Sequence, residues 1–254
     1  MSESTIVEPT TTGLAKAEWF KIANHRTPVV TGVVMLLAVL APAAVLIFYT
    51  PSNVAAYGEA FTATYSLAAP LTAIVFGGWL LGTEYRQGTT KRLLTSEPRR
   101  LRALGTKAAV GGVTLAGALV VTALAGWSAS WLVGSLNDVT VGWNGRELLG
   151  AGLFALAAGA VAYSLSAITR SDSFAMVGSV ALILVLDPLL SLIPTIGDYT
   201  FVSALSVLTN EVAGTVDPFG GGASLSLTAA AITTAAWFAV FIAGSVSLFS
   251  TRDV

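Results

Sequence analysis

The chain has 254 residues, of which 54% are hydrophobic and 11% charged, and its mean hydropathy is +0.77. Soluble domains carry roughly 25% charged residues, and a core of this size could not hide the apolar surplus, so a water-soluble fold is excluded and a membrane protein is expected. Thirteen basic and fourteen acidic residues give a net charge of −1, which points to no nucleic-acid partner; the absence of cysteine and the single histidine, His25, exclude thiolate chemistry, disulfides and Cys or His-cluster metal sites.

Met1–Gly13 is polar, Thr-rich and acidic. It lacks the basic-then-apolar order of a signal peptide and reads as a disordered cytoplasmic tail. Leu14–Arg26 follows, with Ala15, Trp19, Ile22 and Ala23 on one helical face and Lys16, Lys21 and Asn24 turned away. That pattern predicts an interfacial helix lying along the membrane surface, with its apolar face in the headgroups.

Charge-free windows then mark six spans at about 28–50, 62–83, 108–132, 148–168, 173–193 and 226–249, each near the roughly 20 residues a helix needs to cross a bilayer. Together with the interfacial helix they form one transmembrane domain over 14–254, an all-α polytopic fold. Pro42 should kink the first span, and Asp187-Pro188 interrupts the fifth. Between the fifth and sixth spans, Phe201, Val202, Leu205, Leu208 and Val212 recur at helical spacing and predict an external helix packed on the spans; Gly220-Gly221-Gly222 supplies a flexible return.

Twelve of the thirteen basic residues fall on one side of this plan, and only Arg146 falls on the other. The positive-inside rule therefore places both termini in the cytoplasm. Glu59, Asp138, Glu147, Asp198, Glu211 and Asp217 lie in the predicted external loops.

The loop after the second span holds seven of those basic residues: Arg86, Lys91, Arg92, Arg99, Arg100, Arg102 and Lys107. Leu93, Leu94, Leu101 and Leu104 are set among them, so it is not simply a solvated charge run. Gly88-Thr89-Thr90 predicts a break and a new helix start, Lys91–Thr95 a short helix, and Pro98 its end. A basic helix with two leucines suits docking onto another protein; the same charges also serve topology and bind anionic headgroups.

The order of residues resembles the ABC-2 family of ABC-transporter permeases. The family's Glu-x-x-x-Gly-Thr, leucine pair, Pro and Arg correspond to Glu84, Gly88, Thr89, Leu93, Leu94, Pro98 and Arg99 or Arg100. Its amino-terminal connecting helix is matched by Glu18, Trp19 and Lys21, followed by Arg26. The resemblance implies a type V exporter-like permease of the plasma membrane. A coupling helix within Glu84–Arg100, with Arg86 and Arg92 contributing, would dock a separate ATPase subunit, two per complex. ATP and Mg would be bound by that partner and no cofactor by this chain. It further implies a second permease subunit, the same chain or a paralogue, and export of an apolar or amphipathic cargo. No Gly-x4-Gly-Lys-[Ser/Thr] phosphate loop is present; Gly77–Thr83 comes nearest and lacks the lysine.

Asp187 is the one ionisable residue deep in a predicted span. It marks either the translocation path or the chemistry of the helix break at Pro188. Tyr65, Phe76 and Trp79 could line a path for lipid or drug, whereas Trp127, Trp131 and Trp143 suit an interfacial aromatic belt. Ala108, Gly112 and Ala116, and Ala151, Ala155 and Gly159, permit close helix packing, within the chain or across a dimer. His25 reads as a surface residue. An intramembrane enzyme would need paired carboxylates, a His cluster or a Ser with a base, and the spans contain one carboxylate and no histidine. A non-transporting scaffold or sensor that docks an ATPase remains the alternative to a permease.

Overall fold

The computed structural model describes residues 10–49, 53–89, 100–142, 144–214 and 225–251. The described helices are α1 (Thr11–Asn24), α2 (Arg26–Phe48), α3 (Ala56–Gln87), α4 (Arg100–Leu136), α5 (Gly145–Thr169), α6 (Asp172–Ala181), α7 (Asp187–Ser191), α8 (Phe201–Ala213) and α9 (Leu227–Thr251). A π-helical turn, Leu182–Leu186, joins α6 to α7, and a 3-10 turn, Gly197–Tyr199, precedes α8. No strand occurs among the described residues. Among the described residues, six helices are long and apolar enough to span a bilayer: α2, α3, α4, α5, the continuous Asp172–Ser191 segment and α9.

α1 starts at Thr11, three residues ahead of the expected Leu14, because the Thr10 hydroxyl accepts from the Gly13 N–H and closes its first turn. A single extended residue, His25, then redirects the chain. Its Nδ1 accepts from the Thr27 N–H and caps α2, and its ring lies 4.9 Å from that of Trp79. His25 is thus a half-buried cap and not a surface residue. Pro42 sits within α2, which stays helical to Phe48.

α3 and α5 form the centre, wrapped by α2 and α4 on one flank and by α6 and α9 on the other. Lipid tails are as apolar as leucine, so close backbone approach and dispersion hold such helices together in place of the hydrophobic effect. At the α3–α5 crossing a Cβ on Gly77 would lie 2.1 Å from the Gly159 carbonyl oxygen. Ala69, Ala73, Ala155, Ala158 and Ala162 are fully buried around it. Ala155 and Gly159 therefore pack within the chain, whereas Ala108 and Gly112 face outward, with nothing within 4 Å of a Cβ at Gly112.

The fifth span breaks for a local reason. Pro188 has no N–H to continue an α-helical ladder and its ring crowds the turn before it. The backbone widens into the π turn, where the Asp187 N–H bonds to the Leu182 carbonyl. The chain leaves at Ser191 and returns as amphipathic α8, which buries Phe201, Ala204, Leu205 and Thr209 against α5 and α9.

Gly77→Ala should destabilise the protein by about 1–3 kcal/mol through overpacking. Gly112→Ala, meeting open space, should be neutral or stabilise by up to about 1 kcal/mol through helix propensity. Thermal unfolding of the two variants side by side in detergent checks the pair, and equal melting temperatures would contradict the crossing geometry.

Candidate functional site

Four charged side chains from three helices converge at the end of the bundle where α1 lies. Glu18 and Lys21, three residues apart, share one face of α1. Glu84 lies in the last turns of α3, and Lys107 in the second turn of α4. The Lys107 ammonium is 2.6 Å from Glu18 Oε2 and 2.9 Å from Glu84 Oε1. Lys21 pairs with the same Glu84 oxygen. The Lys107 side chain is 1% exposed and that of Glu84 6%.

Isolated charges at such depth would cost several kcal/mol each, and pairing is what makes the burial tolerable. Two ammonium groups and two carboxylates make the group formally neutral. Burial and the neighbouring Lys107 nevertheless hold the Lys21 ammonium below the usual lysine range, against the pull of Glu84. Ile22 of α1, Trp79 and Leu80 of α3 and Leu104 of α4, on the same helices, are all buried. The Tyr163 hydroxyl donates to the Leu104 carbonyl at 2.9 Å and fastens α5 to the same end.

This arrangement corrects the sequence reading of α1. Lys21 was expected to turn away from an apolar face containing Trp19. Instead Lys21, Glu18 and buried Ile22 face the bundle, while Trp19 and Phe20 are 56% and 70% exposed. Opposite charges supplied by α3 and α4 set the rotation of α1, and the exposed rings suit the headgroup layer.

A second ion pair holds the end of α3. Arg86 lies 2.9 Å from Asp172 at the start of α6. A Cβ on Gly82 would come within 2.4 Å of the Asp172 Cα, so the two helices are in backbone contact there. Just beyond, α3 stops. Gly88 takes the left-handed conformation (φ 65°) and donates to the Tyr85 carbonyl, while the Thr89 N–H donates to that of Glu84. This six-to-one and five-to-two pair of bonds is a Schellman stop. Glu84, Arg86, Gly88 and Thr89 are therefore brought together. Arg92, Leu93, Leu94, Pro98 and Arg99 lie outside the described residues; Arg100 opens α4, and its side chain also lies outside them. Arg26 starts α2 on the exposed side.

Tyr65, Phe76 and Trp79 are buried in the core with Met35, Leu115 and Leu119. The Tyr65 hydroxyl donates to the Leu119 carbonyl at 3.2 Å, and the cavity beside it is 20 Å³, about the room one water needs. Trp131 is 55% exposed at the far end of α4, and Trp143 lies outside the described residues. Asp187 is buried, accepting from the Thr200 hydroxyl at 2.8 Å and from the Val202 N–H at 2.9 Å. It thus satisfies the open N-terminus of α8 from within the broken span.

Sequence reasoning missed Lys107 and Asp172 as partners. The sequence alone places Lys107 among the loop's charges, whereas it lies seven residues inside α4, apart from a solvated run. No group of three or more His, Cys, Asp or Glu residues that could hold a metal occurs among the described residues.

Lys107→Met should cost about 3–5 kcal/mol, because it strands Glu18 and leaves Glu84 with Lys21 alone. Combining Lys107→Met with Glu84→Gln leaves one charge of each sign and should recover most of that loss. A double-mutant cycle by thermal or denaturant unfolding reads the coupling, and additive effects would deny that the cluster acts as a unit.

None of the curated proteins compared with the chain matches it. A family model described as "ABC-2 family transporter protein" matches residues 14–187, from α1 through α6 to Asp187. That match covers more than half of the sequence and includes every member of the charged cluster; the chain belongs to the ABC-2 family of transporter proteins, as a multi-pass membrane subunit.

Proposed function

We propose that the chain is the permease subunit of an ATP-driven exporter, and that the segment following α3 is its docking site for a separate ATPase. Family membership implies an ABC ATPase partner and a lipid environment. The observation that carries the finer reading is the anchoring of α3 beside that segment. The helix is tied to α1 and α4 through Glu84 and to α6 through Arg86, and it ends in the Schellman stop at Gly88 and Thr89. A displacement that reaches the Gly88 end of α3 is therefore passed along the helix, and through the Gly77–Gly159 contact to α5.

In this reading both termini and the charged cluster are cytoplasmic, since twelve of the thirteen basic residues lie on that side. Two ATPases bind ATP and Mg, close on each other, and move two permease subunits in the plasma membrane. Apolar or amphipathic cargo fits a chain without a large external capture domain.

The reading is tested by co-purification with the ATPase encoded beside this chain. Replacing Arg92, Leu93 and Leu94 together by Asp should weaken association at least about tenfold, as expected when a desolvated interface core is lost. The melting temperature of the permease should be unchanged. Association at the wild-type level would rule out docking at this segment. A reconstituted complex that hydrolyses ATP but moves no lipophilic cargo would favour the scaffold reading.

A further inference from the structure

A cavity of about 410 Å³ opens sideways between α5, α8 and α9, within the roughly 300–1,000 Å³ range of small-molecule sites. Leu153, Leu156 and Ala160 of α5, Leu205 and Leu208 of α8 and Phe238 of α9 form its walls. Thr209 also lines it, but its hydroxyl is bonded to the Leu205 carbonyl at 3.2 Å. The lining is otherwise apolar and offers a ligand no free hydroxyl proton, and an empty slot would forfeit the dispersion contacts of its lining. The medium beside a membrane-spanning bundle is lipid.

Depth and charge narrow the occupant. Gly58 of α3 adjoins Asn144 at the end of the bundle opposite the charged cluster, so α5 begins there. Leu153 and Ala160 lie about 12 and 22 Å along that helix at 1.5 Å per residue, which is acyl-chain depth. At the mouth, Val212 lines the slot and its carbonyl accepts from Arg146 Nε at 3.1 Å, while Nη2 donates to the Glu211 carbonyl at 3.4 Å. Two of five guanidinium donors are used in these bonds. Arg146 is also the only basic residue that the charge distribution assigns to this end of the chain.

We propose that the slot binds one acyl chain of a phospholipid from the leaflet away from α1, with the lipid phosphate held by Arg146. The tail alone gains little over bulk lipid, because the walls and the bilayer are equally apolar. Shape and the charge-assisted guanidinium–phosphate pair supply the selectivity. Glu147 and Glu211 adjoin Arg146 in the chain or through its bonds and disfavour headgroups of net negative charge, so an ethanolamine headgroup suits the site. The site does not depend on ATPase docking.

The test uses the full chain in nanodiscs of phosphatidylethanolamine and phosphatidylglycerol, doped with a phosphatidylethanolamine carrying a mid-chain diazirine. After photolysis, peptides from α5 and α8 should be labelled several-fold above the lipid-facing α2 peptide that contains Val33 and Leu37. Ala160→Phe should remove the excess, and Leu208→Phe serves if the first variant does not fold. Arg146→Gln should remove most of the excess over the α2 peptide, since losing a charge-assisted pair weakens binding about tenfold, yet leave labelling by a diazirine fatty alcohol unchanged. Labelling no higher than that of α2, or insensitive to both filling variants, would overturn the site. So would protection of the slot by protein, whether a second copy or this chain's own residues 215–224. Equal labelling of Arg146→Gln and wild type would overturn the phosphate assignment.

Discussion

A lysine with 1% of its side chain exposed needs carboxylates on more than one side, and the geometry of this protein's α1 end follows from that requirement. Lys107 takes one carboxylate from α1 and one from α3, and Lys21 adds a second cation to Glu84. Burial makes the arrangement exacting. In a low-dielectric setting a paired charge is tolerated and an unpaired one is not, so α1 can neither rotate nor slide without stranding a partner. α1 is thereby part of the bundle and not a loosely attached segment.

The constraint extends upward through α3. That helix has 32 residues, about 48 Å at 1.5 Å per residue, longer than a hydrocarbon core of roughly 30 Å. Its excess length carries Glu84 and Arg86 to the α1 end of the bundle, while Gly77 meets Gly159 deeper in it. The same helix thus holds the charged junction, the contact with α6 and the central contact with α5. Displacement at its Gly88 end has few ways to dissipate, because α1, α4, α6 and α5 all hold the same helix.

The opposite end is built on different principles. Pro188 breaks the fifth span, and the π turn before it places Asp187 where it caps α8. A carboxylate inside a span is expensive, and here the open N–H groups of a returning helix and the Thr200 hydroxyl offset the cost. With α8 set in this way, the slot between α5, α8 and α9 has a fixed wall.

Much of this was legible in the chain. Scarcity of charge specified lipid as the solvent, charge-free windows of about 20 residues located six spans, and the Gly88-Thr89 break and the amphipathic stripe of α8 were visible as local patterns, because helix formation and termination depend on residues three or four apart. Glu84 stood out as the first residue of the family pattern. Which bases it pairs with was not legible, since Lys21 and Lys107 lie 63 and 23 residues away and local periodicity carries no information at that range. The rotation of α1 was misread for the same reason: an isolated helix turns its apolar rings inward and its lysine outward, and only opposite charges on α3 and α4 reverse that choice. Likewise Gly159 announced close packing without naming Gly77 as its partner. The sequence by itself determined solvent, span number and the stop of α3 at Gly88, which are local or compositional; the tertiary structure alone decided which buried charges meet and which small residues touch, because those energies exist only once distant segments are in contact.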